Sequence, residues 1–163
     1  MDEPRVAVRV SSGAVARIEA EARDSIDGRE TGGYLFGLRG EDKILWASGA
    51  GPNAARSESE LGIDGAYVRA FEQHLRAQWG VDVGLVGRWH VHPSGTAELS
   101  DVDCEGAAAG LELIELEHDG GAWLDLVLTA SSWSYPEIHA YVFTRDPISR
   151  RITHEPAKFE EVD

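Results

Sequence analysis

Two imidazoles and one carboxylate, His90, His92 and Asp103, fall close together in the segment WHVHPSGTAELSDVD. Their types and spacing let all three meet one divalent metal. Three protein ligands leave the fourth position of a tetrahedral zinc open to water or substrate, which is the ligand count of a catalytic site and not of a structural one.

The elements that must position them can be read from the neighbouring residues. VGLVGRWHVHP carries Val83, Val86, Trp89 and Val91 and reads as a strand. Residues two apart on a strand point to the same face, so His90 and His92 look the same way. Pro93 has no backbone N–H and biases its predecessor towards extended geometry, so the strand ends with His92 still held in it. After the loop 94–99, Ser100 has the preference of an N-cap and Asp103 the acidic position three residues on. The apolar run Cys104, Ala107, Ala108, Leu111 and Ile114 follows, which places Asp103 in the first turn of a helix. Each half alone has a plainer explanation, a half-buried strand histidine and an ordinary helix cap. The two together in one short window favour a metal site.

The string His90-x-His92-Pro93-x6-Ser100-x2-Asp103 resembles the signature of the JAMM/MPN+ (JAB domain) zinc metalloproteases, and the bare chain resembles their compact prokaryotic type. That family carries an upstream glutamate in a glycine-rich strand. Here Glu30 in GRETGGYLFG stands before Gly32-Gly33 and Tyr34-Leu35-Phe36-Gly37. The similarity runs from about Val6 to about Thr144, but beyond the motif it is only an order of elements. The resemblance implies one Zn2+ per chain held by His90, His92 and Asp103, with Glu30 as general base and Ser100 hydrogen-bonding the oxyanion. The chemistry is coherent: zinc lowers the pKa of bound water to about 7, and a carboxylate within reach can then carry the proton to the leaving amine. A capping serine still has its hydroxyl hydrogen to offer an oxyanion. Without that context Glu30 would be a solvated turn residue. Gly32 and Gly33 suggest a bulge or a surface closely approached, and are expected to line a substrate groove. The substrate implied by the family is a peptide or isopeptide bond after the extended C-terminal tail of a ubiquitin-like modifier or sulfur-carrier protein. The alternatives are a non-catalytic partner-binding scaffold and a zinc hydrolase acting on another small peptide or amide.

Composition narrows the class. At 163 residues the chain suits one domain, read as a catalytic domain over 1–150 and a short acidic, mobile tail over 151–163. A formal charge of −14, with 13 Arg, only 2 Lys and no long basic run, argues against a nucleic-acid partner. Neither an apolar leader nor a run of the ~18–20 residues needed for a span is seen, so a cytoplasmic protein without a membrane partner is expected. The single cysteine, Cys104, forms no internal disulfide and reads as a small buried hydrophobe.

The remaining pattern gives a βαββαβαββ order: an α/β fold with a single mixed sheet flanked by helices, MPN/JAB-like. Val6, Val8 and Val10 mark a first strand, and Val15, Ile18, Ala22 and Ile26 a helix capped by Ser11 or Ser12. Strands follow at 34–38 and 44–48. GAGPNAARSESELGID is a polar loop suited to ordering on a partner. Tyr67, Phe71, Leu75 and Trp79 mark a second helix by their core stripe, and two late strands run through Leu124–Leu128 and Ile138–Phe143. His74, His118, His139 and His154 have no ligand spacing to one another.

Overall fold

The computed structural model describes residues 3–4, 6–23, 28–39, 41, 43–57, 61–116, 121–129 and 136–163. Val8 and Val10 are buried on β1 (Ala7–Ser11) while Arg9 between them is not, the period of two expected of a half-buried strand. Ser11 Oγ then accepts the Ala14 N–H at 3.1 Å and opens α1 (Ser12–Arg23). Ala14, Val15, Ile18 and Ala22 form its buried stripe. Ile26 and His118 lie outside the described residues.

The chain continues through β2 (Gly32–Leu38), β3 (Lys43–Ala47) and a short hairpin, β4 (Ala55–Arg56) with β5 (Leu61–Gly62), inside what reads as a polar loop. Asp64 caps α2 (Gly65–Trp79) by accepting the Tyr67 N–H. Val68 and Leu75 pack with Phe36 and Val83, and the Phe71 ring lies 5.6 Å from that of Phe36. Trp79 ends the stripe largely exposed beside Trp46. Then come β6 (Val83–Val91), α3 (Asp101–Glu115), β7 (Trp123–Thr129), β8 (Glu137–Arg145) and β9 (Ile152–Val162).

The expected α/β arrangement of an open mixed sheet flanked by helices, MPN/JAB-like, is not what forms. The strands run β1-β3-β2-β6-β7-β8-β9, and β9 returns to β1, so the sheet closes into a seven-stranded barrel, accompanied among the described residues by three helices. The segment expected to be a mobile tail makes the closure. β9 pairs antiparallel with β8 (Ala140↔Ala157, Arg145↔Ile152) and parallel with β1 (Ala7↔Lys158, Ser11↔Val162). Ala157 is its only buried residue, so no apolar alternation marks it as a strand. The β8 ladder orders its first half (Ile152–Ala157) and the β1 ladder its second (Lys158–Val162), and closure removes the unpaired edges that β1 and β8 would otherwise expose.

β6 carries the site. It lies between β2, antiparallel with Gly32 opposite His90, and β7, parallel with Arg88 opposite Asp125. Trp89 and Val91 share one face with Leu126 and Leu128, in the apolar cluster that includes α1. Arg88, His90 and Asp125 therefore belong to the opposite face. There α3 packs Ala107, Leu111 and Ile114 against Trp123 and Phe143. A Cβ on Gly110 would stand 2.5 Å from the Trp123 ring, so this helix approaches β7 as closely as a missing side chain allows.

Candidate metal centre

His92 lies just past β6 but is still held by the ladder, its N–H donating to Leu128 O at 3.0 Å. Its Nδ1 faces Thr96 O at 2.8 Å, so Nδ1 carries the hydrogen and Nε2 is left as a donor atom for a metal. On the facing helix Ser100 and Asp103 form a capping box. Ser100 Oγ accepts the Asp103 N–H at 3.1 Å and the Ser100 N–H donates to Asp103 Oδ2 at 2.9 Å. Strand end and helix start thus meet, and the ligand atoms converge. His90 Nε2 is 3.0 Å from His92 Nε2, His92 Nε2 is 3.1 Å from Asp103 Oδ2, and His90 Nε2 is 3.4 Å from Asp103 Oδ1.

Two ring nitrogens and a carboxylate cannot sit so close as bare lone pairs; a proton or a cation must lie between them. These residues form the group, among those described, able to hold a metal ion, with all ligand atoms within 4.8 Å of one another. Two neutral nitrogen donors and one anionic oxygen suit a borderline divalent ion such as zinc.

The electrostatics agree with a cation site. Burial opposes ionisation of Asp103, but hydrogen bonds from His90, His92 and the Ser100 N–H outweigh it and hold its carboxyl well below the usual carboxylate range. Burial likewise opposes the His90 imidazolium, but the Asp125 and Asp103 carboxylates raise its pKa to about 9. A place that gathers a proton this strongly is one a divalent ion can take over.

Asp125 and Arg88 are the residues that motif reading missed. Asp125 is fully buried, its Oδ2 accepting from Arg88 Nε at 3.0 Å and its Oδ1 lying 3.2 Å from His90 Nδ1. A guanidinium nitrogen of Arg88 also donates to the Asp103 carbonyl oxygen, tying β6 to the first turn of α3. The available signal was the aspartate in the middle of the apolar strand WLDLVLT, where a charge is not buried without a partner.

Glu30 enters the same neighbourhood from the residues before β2. Its N–H donates to Ser57 O and its carbonyl accepts from Arg56 Nε. Burial raises the pKa of its side chain, while His90 and His92 pull the other way. With His90 and Asp103 it lines a cleft of about 510 Å3, walled further by Tyr34, Leu61, Ile63 and Val102. Gly32 and Gly33 do not line it. A Cβ on Gly32 would be 2.2 Å from Trp89 O, and one on Gly33 1.9 Å from Ser48 O, so neighbouring backbone takes the space their side chains leave. Ser100 is exposed at the helix start and is likewise absent from the lining. Cys104 is half-buried, its thiol pKa pushed up mainly by burial, in keeping with an inert packing residue. His139 instead meets Thr129 Oγ1 at 3.1 Å, and His154 stacks on Phe143.

No family model and no curated protein matches the chain. In fold, 121 solved chains match it, so the architecture is a shared one and cannot by itself name an activity. One is the solution structure of protein DSY2949 from Desulfitobacterium hafniense, at a TM-score of 0.62 and 16% identity over 95% of this chain and 92% of that one. Likeness at that identity is likeness of fold alone. Among the described residues no helix is long and apolar enough to cross a membrane.

Proposed function

We propose that this protein is a zinc-dependent peptidase or isopeptidase acting after the extended C-terminal tail of a ubiquitin-like or sulfur-carrier-like protein. The observation that carries the reading is the convergence of His90 Nε2, His92 Nε2 and an Asp103 carboxylate oxygen beside a cleft that Glu30 also lines. The motif resemblance to JAMM metalloproteases supports the same chemistry. Zinc bound there supplies a water acidic enough to lose its proton near neutral pH and a Lewis acid for the scissile carbonyl.

The chain's own residues do the rest. Glu30, half-buried with its affinity for a proton raised, is suited to take a proton within the cleft and release it to a leaving amine. Ser100 spends its backbone N–H and one Oγ lone pair on Asp103, and keeps its hydroxyl hydrogen to offer an oxyanion. The cleft suits an extended small-residue segment. The β4–β5 hairpin forms one wall through Ala55, Arg56, Leu61 and Gly62, and main-chain hydrogen bonding along a strand edge binds such tails without demanding large side chains.

The test is a panel of ubiquitin-like domains with Gly-Gly tails fused to a reporter, incubated with zinc-loaded protein. Cleavage at the junction is expected, and Glu30→Gln should keep zinc while losing at least a hundredfold in turnover, the usual scale of general-base catalysis. Zinc-bound wild type that cuts none of the panel would overturn the reading.

A further inference from the structure

Beside the three converging groups lies a buried pair whose arrangement is incomplete. His90 Nδ1 and Asp125 Oδ1 are 3.2 Å apart, and among the described residues neither atom has another hydrogen-bond partner. The other oxygen of Asp125 is fixed by Arg88 Nε, and Arg88 is fixed in turn by the Asp103 carbonyl. A Cβ on Gly106 would lie 2.3 Å from an Arg88 guanidinium nitrogen, so α3 leaves a side-chain-sized gap where Arg88 passes. Asp125 is thus presented to His90 by a built mount.

We propose that Asp125, held by Arg88, is a positioning residue that fixes His90 as the Nδ1–H tautomer, so that Nε2 is the atom offered to a divalent cation. The inference rests on the metal-binding part of the proposed function and extends it to a pair of residues that no motif contains. Neutral imidazole has one hydrogen to place, and the group facing one nitrogen decides which nitrogen keeps a lone pair. A carboxylate oxygen can only accept, so Asp125 Oδ1 selects the hydrogen at Nδ1. His92 is fixed in the same sense by Thr96 O. Both Nε2 atoms then present lone pairs to the point they share with Asp103.

Asp125→Asn distinguishes this role from simple charge pairing with Arg88. The amide keeps the size of the carboxylate but has one accepting oxygen for two neighbours. If that oxygen serves Arg88, the amide N–H meets His90 Nδ1 and favours the tautomer with hydrogen on Nε2, where the cation should bind.

The experiment combines zinc titration of wild type and Asp125→Asn against a chromophoric chelator with side-chain 15N NMR of the His90 ring in zinc-loaded wild type. Expected are an Nδ1-protonated His90 with no hydrogen on Nε2, and zinc bound about 10–100-fold more weakly by the variant. The proposal is overturned by wild-type zinc affinity in Asp125→Asn, by zinc-loaded His90 with its hydrogen on Nε2, or by a wild type that binds no zinc. Should the variant not fold, the wild-type ring spectrum decides alone. Zinc-bound wild type that hydrolyses nothing would sink the peptidase reading and leave the tautomer assignment standing.

Discussion

Zinc bound as proposed would have to compete with a proton at His90, and the size of that competition follows from the ring's surroundings. Burial works against the imidazolium, but carboxylates 3.2 Å from Nδ1 and 3.4 Å from Nε2 lift the pKa from 6.5 to about 9. Coordination through Nε2 requires that proton to leave. At pH 7 its removal costs about 3 kcal/mol, so apparent zinc affinity should be roughly a hundredfold below its alkaline limit. Chelator competition between about pH 6.5 and 8.5 should give an affinity that rises close to tenfold per pH unit. Calorimetry in two buffers of different ionisation enthalpy should count a proton released per metal. The metal-free protein gives an independent check on the sign. Because the folded pKa lies above the unfolded 6.5, the stability from this proton is complete below that value and is lost as pH rises through about 9. The melting temperature of the metal-free form should fall across that window, whereas the zinc-loaded form, already without the proton, should not. A pH-independent affinity with no proton release would show that His90 is neutral before metal arrives and would refute the reasoning.

Ser100→Ala should lose about 1 kcal/mol of stability with its helix cap, keep zinc within a few-fold because the backbone N–H still holds Asp103, and lose about 10²–10³ in turnover. Zinc titration beside kinetics checks it, and equal losses in both would remove the oxyanion role. Gly110→Ala sets two effects against each other: helix propensity favours alanine by about 1 kcal/mol, but its Cβ would meet the buried Trp123 ring at 2.5 Å. The ring should win, and a higher denaturant midpoint for the variant would show otherwise. Deleting residues 152–163 removes the strand that joins β8 to β1, so the cooperative melting transition should disappear; a truncated chain that melts like the full one would refute the weight given to closure.

What could be read before folding was whatever short-range spacing encodes. The two-residue step from His90 to His92 and the three-residue step from Ser100 to Asp103 each express one element's geometry, and both hold: the imidazoles converge and the capping box forms. Glu30 reaches the cleft through the pairing of β2 with β6, which sets Gly32 opposite His90, and nothing local to GRETGG announces that register. Gly32 and Gly33 did signal close approach, but a missing side chain does not say what approaches; here it is the backbone of Trp89 and Ser48. Asp125 and Arg88 meet only because β6 and β7 run side by side in register. β9 was hidden for a different reason. A strand that buries little beyond Ala157 has no hydrophobic period to betray it, its place is set by backbone hydrogen bonds that leave no side-chain pattern, and Pro156, opposite Tyr141 in the ladder, reads against a strand.

The return of β9 to β1 also fixes when the chain can finish folding. Ser12 Oγ reaches Val162 O across 150 positions of sequence, and β1 pairs with β9 in parallel, among the most non-local contacts a chain of this size can form. Loops of that length close slowly, and a ribosome delivers β9 only after β1 and β8, the strands it joins. The residues that would grip a metal are therefore made well before the barrel that steadies them exists. Until β9 arrives, β1 and β8 stand open to other chains, so refolding yield should fall with protein concentration before native stability gives any sign of weakness.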